Sequence, residues 1–235
     1  MRKLRKSLRN LFRSKAQEKK IYQEKLGKVQ VISERDFALV SYEKDGAFDY
    51  ETYRQIQTEG NKRKLDGVFV QEDVIREIAA YGQEHGHVRA VICHGTRNGA
   101  EQRFFKAALP DVSVIGTEIS DTATQFPDTV EWDFHVMNED WRDKFDILYS
   151  NSWDHSYDPK LLFRVWSACI APGGLMALEH SGRHEPKAVN PLDPFGVTFD
   201  GLVTLVADNP NLALEKILDV SAKRQVRVAL FRKTA

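Results

Sequence analysis

Cysteine is scarce in this sequence: Cys93 and Cys169 are the two cysteines among 235 residues. Both fall in segments predicted to be buried, without the spacing of metal ligands, so we expect reduced thiols and a reducing compartment. Long apolar runs are also missing, since no stretch reaches the roughly 18 apolar residues of a membrane span. The basic start lacks the apolar stretch and small-residue cleavage site of a secretory signal. These absences predict a cytoplasmic protein.

Net charge is absent from the chain as a whole but not from its parts. Lys and Arg number 34, as do Asp and Glu, yet residues 1–28 hold eleven Lys/Arg against two Glu. That segment therefore carries a charge of +9 and the remainder a charge of −9. Because an acidic domain opposes phosphate binding, nucleic acid is a disfavoured partner.

Residues 1–28 are predicted to form a basic amphipathic helix, with Leu4, Leu8, Leu11 and Phe12 on one face. Such a helix can lie on an anionic membrane, contact nucleic acid or pack on the domain that follows it. Peripheral membrane contact through this segment is therefore one of three open alternatives, and the oligomeric state is open as well.

The rest of the chain is predicted to divide at residue 66. Residues 29–66 are expected to form an accessory or lid segment, with short strands at Val29–Ile32 and Phe37–Tyr42 and a helix over Tyr50–Lys64. Residues 67–235 are expected to form the main domain.

Strands and helices alternate along the main domain. A helix around Val74–Ala79 comes first, and the predicted strands are Val88–Cys93, Val112–Thr117, Thr129–Trp132, Phe145–Ser150, Leu175–Glu179, Leu212–Val220 and Gln225–Phe231. Helices are predicted at Ala100–Leu109, Pro159–Ile170 and Phe199–Val206, with a turn at Pro172–Gly174 and a loop over 181–197. This alternation predicts an α/β fold with a mostly parallel sheet and helices on both faces. The last two strands are too close for a helical crossover, so they should pair antiparallel.

The chain is organised around the junction at Val88–Gln102, where a strand ends in two glycines and a helix begins. Such a junction places backbone N–H groups and the positive end of a helix dipole beside a ligand. The residues of this turn that we predict to bind a cofactor are His94, Gly95, Thr96, Arg97 and Gly99.

Polar residues also follow the other parallel strands, where the ligand crevice of an open sheet lies. Glu118 suits the two hydroxyl donors of a ribose, and Asp133-Phe134 offers an acceptor for an exocyclic amine beside a surface for a purine. Ser150-Asn151 ends the fourth strand and completes the predicted cofactor-binding set. Structural alternatives are a solvated strand end for Glu118 and a cap for Asp133.

The span from Val88 to Lys233 resembles the class I, seven-stranded S-adenosylmethionine-dependent methyltransferases. The similar segments, in order, are His94–Glu101 for the glycine motif, Glu118 for the acidic residue, Trp132–Phe134 for the adenine contact, Phe145–Asn151 for the fourth strand, Asp154–Pro159 for the histidine loop and Leu161–Glu179 for the fifth strand. The resemblance implies a Rossmann-like fold with an antiparallel last strand, S-adenosyl-L-methionine as cofactor, and methyl transfer.

Two residues depart from the pattern of that family. Cys93 stands where an acidic residue commonly holds the methionine amino group, and Arg97 stands where a middle glycine is usual. A thiol cannot supply the missing charge, so another group has to. Arg97 could meet the methionine carboxylate as a charge-assisted pair or point to solvent.

Methyl transfer to oxygen needs a group that takes up the acceptor's proton, and histidine is the usual base near neutral pH. We predict His155 first and His180 second, with Asp154 orienting the imidazole or acting itself. His155 as an ordinary loop residue is the alternative. No His/Asp/Glu cluster at metal-ligand spacing occurs in the sequence, so no metal is predicted.

The sequence thus predicts an S-adenosylmethionine-dependent enzyme that methylates an oxygen of a small molecule or of a sugar in a surface glycan. The alternative from another class is a non-catalytic or regulatory protein with a methyltransferase fold, which Cys93 and Arg97 motivate. A nicotinamide-dependent oxidoreductase is disfavoured, because the glycines do not fit Gly-x-Gly-x-x-Gly.

Overall fold

The computed structural model of this chain describes residues 30–221 and 225–234. The helix predicted for residues 1–28 lies outside the described residues. The strands are β1 (Gln30–Ser33), β2 (Phe37–Ser41), β3 (Glu43–Lys44), β4 (Ala47–Phe48), β5 (Ala90–His94), β6 (Ser113–Glu118), β7 (Thr129–Glu131), β8 (Phe145–Ser150), β9 (Ile170–His180), β10 (Phe195–Val197), β11 (Leu212–Ser221) and β12 (Gln225–Lys233). The α-helices are α1 (Tyr50–Arg63), α2 (Glu72–His85), α3 (Ala100–Ala108), α4 (Pro159–Cys169) and α5 (Phe199–Ala207).

A seven-stranded sheet in the order β11-β12-β9-β8-β5-β6-β7 forms the centre of the fold. The five strands from β9 to β7 are parallel to one another. Strand β12 runs antiparallel to both of its neighbours, β9 and β11. The predicted fold class, a mostly parallel Rossmann-like sheet with an antiparallel last strand, is confirmed.

Alternation of apolar side chains along the central strands builds a core on each face of the sheet. Ile92 and Leu148 point to one face, where they pack with residues of α4 and α5. Val91 and Ile147 point to the other face, where they pack with residues of α2 and α3. Because both faces are covered, these strands are apolar on both sides, as expected for buried parallel strands.

The Pro172–Gly174 segment differs from the sequence-based expectation of a turn before the fifth strand. Strand β9 already begins at Ile170, which pairs with Phe145, and the pairing resumes between Leu175 and Ile147. The segment is therefore a bulge inside β9, and Gly173 has a φ of +77°. The residues Pro172–Gly174 favour a turn, but β9 pairs with β8 both before and after them, so the segment stays within the strand.

The predicted loop over 181–197 also contains a strand that the sequence did not reveal. Strand β10 pairs antiparallel with β2, which itself pairs with β1. Strand β10 has only three residues and lies in a segment with prolines and glycines. It is too short to show an alternation of apolar and polar residues. Its pairing ties the segment before α1 to the loop that follows β9, at the carboxyl edge of the main sheet.

Helix α1 begins at the Asp49 cap, whose carboxylate accepts a hydrogen bond from the backbone N–H of Thr52. Its buried residues Tyr53 and Ile56 pack with Val40 and Tyr42. The helix predicted over Tyr50–Lys64 is thus present. Its buried polar residues Gln57 and Asn61 contact His155 and Thr122, in the turns after β8 and β6. The division of the chain into 1–28, 29–66 and 67–235 stays a prediction.

Within residues 30–221 and 225–234, none of the helices has the length and apolar character needed to cross a bilayer.

Replacing Leu148 by alanine tests the central layer of this fold. Leu148 is fully buried, so the cavity should lower the free energy of unfolding by about 2–5 kcal/mol. The control Leu214→Ala removes the same atoms from a partly exposed side chain of β11 and should cost less than about 1 kcal/mol. Urea unfolding measures both, and equal losses would contradict the assigned core.

Candidate functional site

Two adjoining cavities lie at the carboxyl ends of the parallel strands, where α1 and the loop before β10 cover the sheet edge. They share Gly95, Arg97, Ser152 and His155. The first cavity is lined in addition by Tyr53, Gln57, Gly60, Asn61, Glu118, Ile119, Asp133, Phe134 and Leu192. The second is lined in addition by Lys64, Gly67, Val68, Phe69, Thr96, Asn98, Ala100, Glu101, Asn151, Asp154, Glu179, Ser181, Arg183, His184 and Asp193.

The glycine junction turns the chain sharply between β5 and α3. Gly95, Arg97 and Gly99 have positive φ values of 76°, 45° and 70°. A Cβ atom on Gly95 would lie 2.7 Å from the Cβ atom of Ser152, so a side chain does not fit there. Arg97 adopts a left-handed backbone that favours glycine, which gives a physical reason for the glycine usual at this position.

The backbone N–H groups of this junction are partly engaged within the protein. Those of Gly95 and Thr96 both donate to the carbonyl oxygen of Thr117, at 2.9 and 3.0 Å. His94 is buried beneath the turn, where its Nδ1 lies 2.8 Å from Thr117 Oγ1 and its ring stacks on Trp166. Burial lowers the pKa of His94 to about 3, so its imidazole is neutral. His94 therefore supports the turn rather than lining a cavity.

Glu118 is the buried carboxylate of the first cavity. Its two oxygens accept hydrogen bonds from the backbone N–H groups of Ser120, at 3.0 Å, and Arg97, at 3.1 Å. Burial raises its pKa, while those hydrogen bonds, the Arg97 charge and the Asn61 side chain oppose that rise. Asn61 comes from α1, and its Oδ1 accepts a hydrogen bond from Thr122 at 2.9 Å. The solvated strand end considered for Glu118 is thus not what the structure shows.

Asp133 and Phe134 line the same cavity. One oxygen of Asp133 accepts from the Tyr50 hydroxyl at 2.9 Å, and the other accepts from the His135 backbone and lies 2.8 Å from its Nδ1. Although burial opposes it, these bonds from His135 and Tyr50 hold the pKa of Asp133 below its ordinary value. The Phe134 ring packs edge-on against Trp166. Together they form a polar group beside an aromatic surface.

Ser150 and Asn151 have different positions at the end of β8. The Ser150 hydroxyl donates to the His94 carbonyl oxygen at 3.0 Å and accepts from the Ser152 backbone at 3.0 Å. It joins β8 to β5 and does not line either cavity, whereas Asn151 lines the second.

Asp154 and His155 follow in a short 3-10 turn, and His155 lies where the two cavities meet. His155 Nδ1 is 2.7 Å from Gln57 Oε1, and Nε2 is 3.4 Å from the Asp193 carboxylate. Asp154 is buried, and burial raises its pKa to about 7. The predicted pair is therefore brought together with Asp193, which sequence reasoning did not find.

His180 lies elsewhere. Its Nε2 is 2.9 Å from the Val197 carbonyl oxygen, its ring stacks on Trp153, and it lines neither cavity. Instead His184 lines the second cavity, where its Nε2 lies 3.1 Å from the Asn151 carbonyl oxygen.

The second cavity holds acidic and basic groups close together. Cys93 of β5 is fully buried, and burial raises the pKa of its thiol. Glu101, in the first turn of α3, is also buried, and its Oε2 has no hydrogen-bond partner among the described residues. The Arg97 guanidinium lies over the Phe69 ring at 4.6 Å and influences Glu101 electrostatically. Glu101 thus supplies a buried carboxyl group to this cavity.

Several cavity residues were missed because they belong to distant parts of the chain: Gln57, Asn61, His184 and Asp193. Glu101 could have been predicted from the sequence, because an acidic residue in the first helical turn after a glycine junction lies close to the ligand crevice.

The fold is similar to that of several solved methyltransferases. The 1,6-didemethyltoxoflavin-N1-methyltransferase of Burkholderia thailandensis, solved with 1,6-didemethyltoxoflavin and S-adenosylhomocysteine, is 14% identical over 88% of this chain and 100% of its own, with a TM-score of 0.62. The N-methyltransferase NodS of Bradyrhizobium japonicum, solved with S-adenosylhomocysteine, is 13% identical over 76% of this chain and 99% of its own, with a TM-score of 0.56. The mitomycin 7-O-methyltransferase MmcR is 13% identical over 69% of this chain and 54% of its own, with a TM-score of 0.54.

At these identities the likeness shows the fold, which is that of the class I methyltransferases, as the sequence resemblance implied. No protein-family model and no curated protein matches the sequence.

Glu101→Gln tests the buried carboxyl of the second cavity. Burial raises the pKa of Glu101 from 4.5 to about 8, so the folded protein retains a proton that the unfolded chain releases over that range. The stabilisation from this proton is complete below the unfolded pKa and is lost as the pH rises toward the folded one. The variant avoids that loss, so its stability relative to wild type should improve by on the order of 3 kcal/mol from about pH 5 to pH 8.

Urea unfolding at the two pH values measures this difference, with exposed Glu77→Gln in α2 as the matched control. If Glu101→Gln and wild type lose stability in parallel, the carboxyl is not a buried acid.

Proposed function

We propose that this chain, which has the class I methyltransferase fold, uses S-adenosyl-L-methionine to methylate an oxygen of a small molecule or of a glycan sugar. The observation that carries the proposal is the buried Glu118 carboxylate beside Phe134 in a cavity that opens, at Gly95, onto a second cavity of mixed charge. S-adenosyl-L-methionine joins a nucleoside to a zwitterionic amino acid, so its two halves match the chemical character of the two cavities.

The first cavity is our site for the adenosine part. Glu118 is placed to accept both ribose hydroxyls, since each carboxylate oxygen has more than one acceptor position. Phe134 and Ile119 offer apolar surface for the purine. Asp133 is our candidate for the exocyclic amine; its bonds to Tyr50 and His135 fix its orientation and leave acceptor capacity.

The second cavity is our site for the methionine part. Its ammonium group needs a carboxylate that Cys93 cannot provide, and Glu101 is the buried carboxyl in the neighbouring turn. Proximity of an ammonium would favour ionised Glu101. Arg97 is our partner for the methionine carboxylate, since its guanidinium lines the same cavity.

Methyl transfer from a sulfonium is an in-line displacement, so the protein mainly has to align the acceptor. His155 is our candidate base. Gln57 faces its Nδ1, which leaves Nε2 to take a proton, and Asp193 could stabilise the resulting imidazolium. His180 is the weaker candidate, because its Nε2 faces a carbonyl oxygen within the protein.

Calorimetric titration with two ligands tests the cofactor assignment. S-adenosylhomocysteine contains both parts, whereas 5′-methylthioadenosine lacks the amino acid end. Glu118→Gln should weaken binding of both ligands by about 10-fold, the effect of one charged hydrogen bond. Glu101→Gln should weaken S-adenosylhomocysteine by about 10-fold and leave 5′-methylthioadenosine unchanged within about twofold.

Wild type that binds neither ligand at millimolar concentration would contradict the proposal and favour the non-catalytic or regulatory protein of the same fold. If both ligands bind but both variants behave like wild type, the cofactor is used but lies elsewhere.

We further propose a cytoplasmic protein whose residues 1–28 contact anionic membrane, where lipid-linked sugars would be available. The support is the charge of +9 on that segment. Full-length protein should sediment with vesicles containing phosphatidylglycerol but not with phosphatidylcholine alone, and deletion of residues 1–28 should abolish sedimentation. Unchanged sedimentation with these vesicles after the deletion would contradict this proposal.

A further inference from the structure

We propose that Asp154, His155 and Asp193 form a binding site for one divalent cation, with Mn²⁺ the best match. Each residue offers one ligand atom, and these atoms all lie within 4.8 Å of one another. A cation with bonds of about 2.0–2.4 Å separates opposite ligands by roughly twice that length. The three groups can therefore contact one ion.

The position of the cluster leaves room for further ligands. Asp154 and His155 lie in the turn after β8, and Asp193 lies in the loop before β10. All three side chains line the second cavity, so water or a bound molecule can complete the coordination. Sequence spacing did not reveal this site, because Asp193 joins the other two only through the fold.

Hydrogen bonds fix how His155 presents its ring. The Gln57 Nε2 donates to the Leu192 carbonyl oxygen at 2.9 Å, which orients the amide so that Oε1 faces His155 Nδ1 at 2.7 Å. Nδ1 must then carry a proton, and in neutral histidine the Nε2 lone pair faces Asp193 Oδ1 at 3.4 Å. Two acceptors in this arrangement need a positive charge between them, either a proton or a metal ion.

This pattern is the one by which proteins orient histidine ligands, since the ring nitrogen that does not bind metal usually donates to an oxygen. Gln57 supplies that oxygen here. Asn190 similarly fixes Asp193, because its Nδ2 donates to Asp193 Oδ2 at 2.9 Å. This leaves Asp193 Oδ1 to face His155.

Asp154 supplies a second, independent indication. Its side chain is 6% exposed, and among residues 30–221 and 225–234 its Oδ1 finds no hydrogen-bond partner. A buried carboxylate oxygen without a partner is unfavourable unless a ligand satisfies it. Two carboxyl groups beside one imidazole form a ligand set whose negative charge in the ionised state a divalent cation neutralises.

The ligand set favours one group of ions. Mg²⁺ and Ca²⁺ take oxygen ligands almost entirely, whereas sites rich in imidazole suit Zn²⁺, Cu²⁺ and Ni²⁺. The two carboxylates suit Mn²⁺, which can also accept the single imidazole nitrogen. Binding uses the same Nε2 lone pair as the base proposed above, so His155 can serve as a base only in cation-free protein. The cation site does not rest on methyl transfer and is measured without cofactor or acceptor.

Titration of chelator-treated, full-length protein with Mn²⁺, followed by electron paramagnetic resonance of the free ion, tests the proposal. We expect one Mn²⁺ per chain, with pulsed spectra that show a directly bound imidazole nitrogen. Asp193→Asn and Asp154→Asn should each weaken binding by about 10-fold or more. Asp200→Asn, which neutralises an exposed carboxylate of α5 outside both cavities, is the matched control and should bind within about twofold of wild type.

No Mn²⁺ bound at millimolar concentration would overturn the proposal, as would bound Mn²⁺ without imidazole coordination. Equal affinity of wild type and both Asp variants would overturn it too. Ca²⁺ at equal concentration should not displace Mn²⁺. Thermal unfolding of the variants without metal verifies their folding, and the imidazole signal of wild type tests the site without any variant.

Discussion

Parallel pairing of β5 with β6 and β8 determines where the strand-end groups of the candidate site lie. It brings the ends of three strands to one edge, so that Gly95, Glu118 and Ser152 meet although they lie far apart in sequence. The close approach of Gly95 to Ser152 shows how tightly that edge is packed. Any ligand at this edge therefore contacts several strand ends at once, which is the general rule for open parallel sheets.

The sheet edge also holds polar groups that the protein leaves unsatisfied. Among the described residues, buried side-chain atoms without a hydrogen-bond partner belong to His94, Arg97, Glu101, Gln102 and Asp154. These residues lie in the glycine junction, in the start of α3 or in the turn after β8. Native proteins leave few such atoms. Arg97, Glu101 and Asp154 line the second cavity, so their unpartnered atoms support a charged or polar ligand there rather than an apolar one.

How much the sequence could predict depended on whether local pattern or distant packing decides the structure. The alternation that sends Val91 and Ile92 to opposite faces is local. The strands β5, β6 and β8 were accordingly predicted to within two residues at each end. The predictions were wrong at the Gly173 bulge and at the short strand β10, because pairing with β8 and β2 decides them. Asp193 and Gln57 reach the site only through that tertiary packing, so no spacing in the sequence could reveal them.

A crystal structure of the full chain with S-adenosylhomocysteine is the decisive measurement for the cofactor site. We predict the Glu118 carboxylate within hydrogen-bond distance of both ribose hydroxyls, the purine against Phe134, and the amino acid end beside Glu101 and Arg97. His155 should face the space beyond the sulfur. The product bound outside the two cavities, or bound without contact to Glu118, would contradict the proposed cofactor site.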